Sequence, residues 1–373
     1  MKYDIVIVGA GISGATLAER YATQQNRKVL VLEKRDHIGG NCYDHYNTDG
    51  ILVSKYGAHL FHTNYEDVWK YVNQFSEWYP YEHRVKAFVD GKLVPIPVNI
   101  TTVNEIFGLF IQNENEMSQW LKANQIPNPN PKNGEEAALA RVGPILYEKL
   151  FKNYTKKQWN KYPSELDALV LNRIPVRNNF DNRYFSDIHQ ALPENGYTKI
   201  FEKMLMHPNI TVRLNTDYFQ MRDEVGTCEK LFYTGPVDQF FDFKYSINKS
   251  LEYRSINFVW ETHDKEYYQV NSVINYPNDY DFTRIVEYKY FTGQKHKKTT
   301  ISKEFSCDYI PGKNEAYYPV PSEANQAIYS LYQNEAIELE KKGIYFVGRL
   351  ANYKYFNMDQ AFKNALDLFS RTG

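Results

Sequence analysis

The sequence predicts an α/β protein in which a Rossmann-type parallel-sheet domain is combined with a helical insert domain and an antiparallel β-sheet domain. Three observations support this fold class. A strand pattern, a glycine-rich turn and a helical pattern follow one another at the start of the chain. Strand patterns without intervening helices occupy residues 251–306, and a strand followed by a helix ends the sequence. With 373 residues, the chain is long enough to bury a large core.

The first predicted element is a strand over residues 2–8, which are rich in β-forming side chains. A glycine-rich turn leads into a predicted helix over residues 12–24, and residues 28–32 form a second apolar strand pattern. Two such strands joined by a helix form a βαβ unit. Because the strands lack polar alternation, they are typical of a buried parallel sheet.

The next region is predicted to be mixed and then mainly helical. Residues 64–78 indicate a helix with Asn64 as its N-cap. Residues 85–96 alternate around Asp90-Gly91, which is a hairpin signal. Further helices are predicted over residues 102–112, over residues 135–159 after an exposed loop at 125–134, and from Ser164 until Pro175 ends the last one.

The second half of the chain begins with a predicted helix over residues 196–206 and strands over 210–214 and 230–233. Four consecutive strand patterns then predict an antiparallel sheet, over residues 251–261, 267–276, 282–291 and 299–306. A helix, a strand and a helix end the chain, over residues 322–342, 344–347 and 358–370.

This order of elements predicts three domains. We expect a discontinuous Rossmann-type domain made of residues 1–80, 187–240 and 322–373. Residues 100–175 are expected to form the helical domain. The antiparallel-sheet domain is expected to hold the ligand, and it consists of residues 81–99, 176–186 and 241–321.

Composition excludes several classes of function. The formal net charge is -1, so no overall field attracts nucleic acid. The three cysteines, Cys42, Cys228 and Cys307, have no metal-ligand spacing and indicate free thiols in a reducing cytoplasm, with no metal site. No leader pattern precedes the first strand, and no apolar run approaches the roughly 20 residues that cross a bilayer. We therefore expect a cytoplasmic protein that does not insert into membranes.

The glycine-rich turn has the spacing of a dinucleotide-binding motif, with Gly9, Gly11 and Gly14 around Ser13. The first glycine permits a tight turn, the second lets a pyrophosphate approach the backbone, and the third lets helix and strand pack closely. The N-terminus of the helix adds free N–H groups for an anion. Glu33 ends the second strand, where an acid holds ribose hydroxyls. The alternative is a glycine turn that serves packing alone.

A second glycine turn distinguishes between cofactors. Glu33 is followed by Lys34, an arginine, three residues and then Gly39-Gly40-Asn41, which resembles the FAD-dependent glutathione-reductase and amine-oxidase superfamily. Residues 346–349, which end in Arg349, resemble the late flavin-contact motif of that superfamily. These resemblances imply FAD rather than NAD. The cofactor contacts that they imply are Gly9, Gly11, Ser13, Gly14, Glu33, Lys34, Gly39, Gly40, Asn41, His59, Arg349, Asn357 and Met358.

An ordered series of motifs resembles the bacterial UDP-galactopyranose mutases over nearly the whole chain. The motifs lie at residues 56–63, 153–159, 173–177, 184–185, 275–277, 283–288, 317–319 and 348–359. The resemblance implies conversion of UDP-galactopyranose to UDP-galactofuranose without net redox, with N5 of reduced FAD as covalent nucleophile at the anomeric carbon. It also implies an external reductant such as NAD(P)H, a homodimer, and a product that feeds a bacterial surface polysaccharide such as a capsule.

The same resemblance implies a set of catalytic residues. Arg173, on a mobile loop, and Arg284 match the pair that clamps the diphosphate, because guanidinium is always charged and binds phosphate in a bidentate manner. His59 and His62 match the segment beside the isoalloxazine, where they tune protonation near N5. The alternative for each histidine is an ordinary structural role. Their spacing resembles that of a metal-binding pair, but the sequence offers no third metal ligand.

Substrate contacts follow from the resemblance as well. Phe151 and Tyr154, one helical turn apart, match the residues that stack on the uracil, and an ordinary core face of the helix is the alternative. The remaining implied contacts that match the family are Thr155, Trp159, Tyr184, Phe185, Asn275, Tyr318 and Tyr355. Arg349 and the helix that begins near Met358 are expected to stabilise the anionic end of reduced flavin. Arg254 matches a family position without a defined role.

Four residues depart from the family pattern near the expected sugar and phosphate site. His83 and Arg183 stand where Asn is common, Asn178 where an aromatic residue is common, and Asn357 where Asp is common. His83, Arg183 and Asn357 are included among the predicted substrate contacts. The departures are either neutral or indicate a mutase for another nucleotide sugar, such as a deoxy, N-acetyl or heptose form. An FAD-dependent, amine-oxidase-like oxidoreductase and a non-catalytic FAD-bound scaffold are the competing classes.

Overall fold

The computed structural model describes residues 3–172, 174–226, 228–245 and 251–373. Arg173, which is predicted to clamp the diphosphate, lies outside the described residues. The strands, in chain order, are β1 Ile5–Val8, β2 Val29–Leu32, β3 Asp44–Tyr46, β4 Leu52–Ser54, β5 Phe61–Thr63, β6 Trp78–Pro80, β7 Val85–Val89, β8 Lys92–Ile96, β9 His189–Pro193, β10 Ile210–Arg213, β11 Lys230–Tyr233, β12 Tyr253–His263, β13 Val273–Asn275, β14 Arg284–Glu287, β15 Thr299–Asp308, β16 Tyr318–Pro319 and β17 Ile344–Phe346.

Helices lie on the sheets and in the insert between them. The α-helices, in chain order, are α1 Ile12–Gln25, α2 Glu66–Val72, α3 Ile100–Phe107, α4 Glu114–Asn124, α5 Gly134–Leu146, α6 Asn153–Trp159, α7 Leu169–Asn172, α8 Tyr197–Leu205, α9 Tyr218–Val225, α10 Val237–Phe240, α11 Lys289–Thr292, α12 Glu323–Glu340 and α13 Met358–Thr372. Short 3-10 helices span Gly40–Cys42 and Pro163–Glu165, and a π-helix spans Tyr147–Lys152. Within the described residues, no helix is long and apolar enough to cross a membrane.

A five-stranded parallel sheet has the order β10-β2-β1-β11-β17. Ile5 of β1 is paired with Val29 of β2 on one side and with Lys230 of β11 on the other. Strands β1 and β2 are almost entirely buried, as expected for a parallel sheet that is covered on both faces. The C-terminal strand β17 forms one edge of this sheet, and α13 packs against α1. The predicted Rossmann-type sheet is therefore confirmed.

A seven-stranded sheet has the order β16-β12-β15-β14-β13-β7-β8, and all its pairs are antiparallel except that of β13 with β7. The predicted α/β class with a second, largely antiparallel sheet is confirmed, and the exact domain boundaries stay predictions. The strands predicted over residues 267–276 and 282–291 are shorter than expected. Residues 289–292 form α11 instead, because the buried Lys289 ammonium donates to the carbonyl oxygens of Glu266 (2.8 Å) and His296 and turns the chain.

A small antiparallel sheet has the order β5-β9-β6. It shortens the helix that was predicted over residues 64–78, because Trp78 pairs with Pro193 in β6 and β9. The predicted N-cap is also wrong: Tyr65 precedes α2. Asn64 donates instead to Asp187 (3.1 Å) and accepts from the N–H of Ile188 (2.9 Å), so it ties β5 to the loop before β9.

The long helix that was predicted over residues 135–159 is interrupted. α5 is broken at Gly143, whose φ and ψ are 75° and 174°, because the following Pro144 disfavours the helical conformation of its predecessor. A β-carbon on Gly143 would lie 2.1 Å from the carbonyl oxygen of Asn124, so the break is also closely packed. The π-helix and α6 follow the break and carry the predicted aromatic contacts. α6 packs against β15 of the antiparallel sheet.

Candidate functional site

A cleft lies at the C-terminal ends of the parallel strands, and both glycine turns line it. Gly9 has a φ of +103°, and a β-carbon there would lie 2.1 Å from Thr234 Oγ1. Gly40 has a φ of +56°, and a β-carbon there would lie 2.8 Å from the Cα of Gly11. The two turns therefore pack closely, and the close approach of the backbone at Gly9 and Gly40 leaves no room for a side chain at either position.

Glu33 lies at the end of β2 and is almost completely buried. Its Oε2 accepts from the N–H of Ala10 (2.8 Å), and its Oε1 accepts from the N–H of Arg35 (2.9 Å). Each carboxylate oxygen can accept a further hydrogen bond, so the group still fits a ribose hydroxyl. These bonds also tie the glycine turn to β2, which a surface glutamate would not do.

Arg35 and the predicted Lys34 both line the cleft, but the Arg35 side chain is largely buried whereas that of Lys34 is largely exposed. The Arg35 guanidinium donates to Asn41 Oδ1 (3.0 Å) and to Glu315 Oε2 (2.7 Å), and it lies 4.3 Å from the centre of the Tyr56 ring. We did not predict Arg35 as a site residue. Its place in the Arg-x-x-x-Gly-Gly pattern was the available signal.

His59 and the start of α13 line the inner end of the cleft. His59 Nδ1 lies 2.9 Å from the carbonyl oxygen of Gly57, and desolvation and the nearby Arg349 charge lower the pKa of His59 to about 4. The ring is therefore neutral at pH 7, with the proton assigned to Nδ1 because a carbonyl accepts there. Asn357 caps α13, and Met358 begins it, so helix N–H groups suit an anionic group at this end.

His62 is held by a loop that is far away in sequence. Its Nδ1 lies 3.0 Å from Asp187 Oδ2, and its ring stacks on Phe185 with centroids 3.6 Å apart. Asp187 was not predicted, because a single acid in an irregular loop carries no pattern. The contacts set the orientation of the imidazole.

His83 is buried beside the same loop. Its ring centroid lies 5.7 Å from that of Tyr184 and 6.1 Å from that of Phe185, and Nδ1 finds no hydrogen-bond partner within the described part of the chain. Burial and the nearby charge of Arg284 lower the pKa of His83 to about 3, so this histidine is neutral. The neutral imidazole of His83 therefore lies in a buried and largely aromatic environment.

Arg284 occupies the antiparallel sheet next to the insert. Its Nε donates to Glu304 Oε2 over 2.6 Å, and the Glu304 side chain is 3% exposed. The hydroxyl of Tyr154, on α6, donates to Asn275 Oδ1 over 3.4 Å, and it lies close enough to Arg284 to feel its charge. The structure thus brings together Tyr154, Asn275 and Arg284, which were predicted separately. Glu304 was missed.

Three predicted aromatic residues form one cluster. The centroid of Trp159 lies 5.2 Å from that of Tyr318 and 6.2 Å from that of Tyr355, and Tyr318 and Tyr355 are 5.7 Å apart. Phe151 and Thr155 are buried, and Phe151 packs into the main hydrophobic core. Stacking of Phe151 and Tyr154 on a base stays a prediction.

The four departures have different surroundings. The Arg183 guanidinium, 41% exposed, pairs with Asp181 of its own loop (2.9 Å), so its charge is already matched. Asn178 donates to Ser118 over 3.3 Å, away from the cleft. Asn357 lines the cleft, and His83 is buried near Arg284.

A glycine-lined cleft at the C-terminal edge of a parallel sheet, with helix N-termini facing it, defines a dinucleotide-binding Rossmann-type protein. Residues 7–75 match the family model of the NAD(P)-binding Rossmann-like domain, and residues 149–355 match that of UDP-galactopyranose mutase. The chain belongs to the UDP-galactopyranose mutase family, as the motifs predicted, and it is a mutase-type isomerase.

Individual relatives resemble the whole chain. It is 38% identical to the dTDP-fucopyranose mutase of Escherichia coli, covering 97% of this chain and 96% of the relative. It is 39% identical to a probable UDP-galactopyranose mutase of Klebsiella pneumoniae, covering 97% and 93%.

Solved structures share the fold. The crystal structure of reduced UDP-galactopyranose mutase has a TM-score of 0.78 at 16% identity, covering 100% of this chain and 94% of that chain. A putrescine oxidase variant has a TM-score of 0.61 at 12% identity, covering 100% and 99%.

Proposed function

We propose that the chain interconverts the six-membered and five-membered ring forms of a nucleoside-diphosphate hexose with FAD as its cofactor. UDP-galactopyranose, giving UDP-galactofuranose, is the first candidate substrate. The observation that carries the proposal is the Arg284–Glu304 pair (2.6 Å), which holds a guanidinium beside Tyr154 and Asn275. A diphosphate is the ligand that such a guanidinium recognises best.

The cofactor site fits FAD. The glycine turns at Gly9 and Gly40 line the cleft with backbone, Glu33 would hold the ribose hydroxyls, and the N-terminus of α13 would stabilise negative charge on the reduced ring. When bound and reduced, flavin supplies a nucleophile, N5, for the anomeric carbon without net redox. An external reductant such as NAD(P)H and a homodimeric assembly stay predictions.

The chain's own groups bind, orient and exclude water. Arg284, with Arg173 predicted to complete the clamp, stabilises negative charge as the diphosphate departs. Trp159 and its two tyrosine neighbours keep water from the reacting carbon. His62, oriented by Asp187, and the neutral His59 control protons beside the ring.

A second candidate substrate is a dTDP-linked 6-deoxyhexose. It is favoured by His83, which replaces the usual Asn and lies between aromatic rings, where a sugar methyl group is tolerated better than a hydroxymethyl group. A relative that is 38% identical is named a dTDP-fucopyranose mutase. Both candidates use the same cleft and the same clamp.

Parallel turnover assays test the proposal. Holoenzyme reduced with dithionite is incubated with UDP-galactopyranose and with dTDP-fucopyranose, and the furanose forms are separated by chromatography. We expect conversion only with reduced flavin, and loss of conversion in Arg284→Ala. Bleaching of oxidised flavin by substrate would instead support an amine-oxidase-like oxidoreductase. Bound flavin without conversion of either sugar and without bleaching would support a non-catalytic scaffold.

A further inference from the structure

Arg254 is a buried cation whose role the sequence left undefined. It lies on β12 and is 2% exposed. Its Nε donates to the carbonyl oxygen of Gln158 over 2.9 Å. Ser306, on β15, donates its hydroxyl to the same oxygen over 2.6 Å and accepts from Arg254 Nη2 over 3.2 Å. Nη1 pairs with the exposed Asp308.

The shared acceptor lies in the last turn of α6, next to Trp159. Carbonyls in the last turn of a helix have no partner within the helix, and a cation there complements the helix dipole. Asn160, with a φ of 55°, ends α6 in the left-handed conformation. Arg254 and Ser306, from the antiparallel sheet, therefore donate the hydrogen bonds that the last turn of α6 cannot make within the helix.

The last turn of α6, which Arg254 and Ser306 cap, adjoins residues of the candidate site. Trp159 follows Gln158 directly, is 3% exposed and contacts Tyr318 edge-on at 5.2 Å. The Gln158 side chain hydrogen-bonds Tyr318, and that contact opposes the rise that burial causes in the pKa of Tyr318. Tyr154, one turn earlier on α6, reaches Asn275. Movement of this turn would thus displace both the aromatic cluster and the hydroxyl beside Arg284.

We propose that Arg254 is a positioning residue for the nucleotide-sugar site: it acts through the Gln158 carbonyl and holds the end of α6, and with it Trp159, in the binding geometry. It does not contact the ligand. The identity of the ligand rests on the proposed function. The positioning of α6 by Arg254 can be tested without any ligand or turnover. Ser306 contributes to the same restraint from the neighbouring strand.

The positioning is tested without ligand by 19F NMR of the holoenzyme labelled with 5-fluorotryptophan. Trp159→Phe identifies the Trp159 resonance. We expect this resonance to shift or broaden in Arg254→Met and, to a smaller degree, in Ser306→Ala, while the other tryptophan resonances stay in place. Asp308→Asn is the matched control: it removes the charge beside Arg254, leaves the Gln158 contact, and keeps an oxygen that can accept from Asn160 Nδ2 (3.4 Å), so we expect the wild-type spectrum. A wild-type Trp159 resonance in Arg254→Met would overturn the inference.

The consequence for binding is measured with UDP and dTDP by calorimetric titration. We expect affinity to fall about tenfold or more in Arg254→Met and about threefold in Ser306→Ala, with Asp308→Asn unchanged. Because both donors share one acceptor, the double variant should depart from the product of the single effects. Multiplicative effects, or full affinity in Arg254→Met, contradict the inference. If the wild-type protein binds neither diphosphate, the proposed function fails, and the 19F spectra still decide the positioning.

Discussion

Arg284 and Glu304 are register partners on β14 and β15, and Nε of the arginine donates to Oε2 of the glutamate over 2.6 Å. The carboxylate is 3% exposed, and its Oε1 finds no partner within the described residues. A buried carboxylate of this kind is tolerated because the guanidinium compensates its charge. The pair uses Nε, so the Nη groups of Arg284 can still donate to the diphosphate of the proposed substrate.

Glu304→Gln should therefore retain the fold but restrain the orientation of Arg284 less strongly. We expect kcat/KM to fall about 10-fold to 100-fold, since the amide still accepts a hydrogen bond but carries no charge. Steady-state assays with either nucleotide sugar measure this. Arg284→Lys should be worse than Glu304→Gln, because an ammonium cannot bind phosphate in a bidentate manner. An equal rate in wild type and Glu304→Gln would contradict the prediction.

His83→Asn should change substrate preference. It restores the residue that is common in the family at a buried position beside Arg284. We expect the ratio of kcat/KM for UDP-galactopyranose over dTDP-fucopyranose to rise about tenfold, as is typical when one buried hydrogen-bonding group is exchanged. Arg183→Asn is the control: its guanidinium is already paired with Asp181, so the ratio should stay within about twofold. An equal change of the kcat/KM ratio in both variants would show that the burial of His83 does not determine substrate preference.

The same variant should also change the acid stability. Burial lowers the pKa of His83 to about 3 in the folded protein, whereas an unfolded histidine titrates near 6.5. Between these pH values the unfolded chain binds the additional proton, so stability is present above about pH 6.5 and is lost as pH falls. His83→Asn removes this contribution. Urea unfolding from pH 7 to pH 4 should show a shallower loss for the variant, and parallel curves would contradict the assignment.

Gly9→Ala should abolish cofactor retention. The added β-carbon would lie 2.1 Å from Thr234 Oγ1, at a φ of +103° that alanine rarely adopts. Gly50→Ala is the control, because Gly50 also has a positive φ, +76°, but no heavy atom lies within 4 Å of the added β-carbon. The ratio of flavin to protein absorbance after purification measures retention. A normal flavin content in Gly9→Ala would mean that the cleft is not the cofactor site.

Parts of the site were open to prediction because their signals are local. The turn at Gly9 and the acid at Glu33 lie within one βαβ unit, so spacing alone relates them. The break at Gly143-Pro144 was also present as a local signal, and the long-helix prediction overlooked it. The strand predicted over 282–291 failed for another reason, because the contacts of the buried Lys289 override strand propensity.

The sequence by itself determined the family, the α/β class and the glycine cradle, because these depend on local backbone conformation and on ordered motifs. Only the tertiary structure decided that Asp187 orients His62, from 125 residues away, and that Glu304 holds Arg284 across two strands. The tertiary structure also decided that Arg183 forms a salt bridge with Asp181, whereas His83 is buried. Hydrogen bonding, burial and charge compensation depend on which segments meet, and that is set by packing of the whole chain.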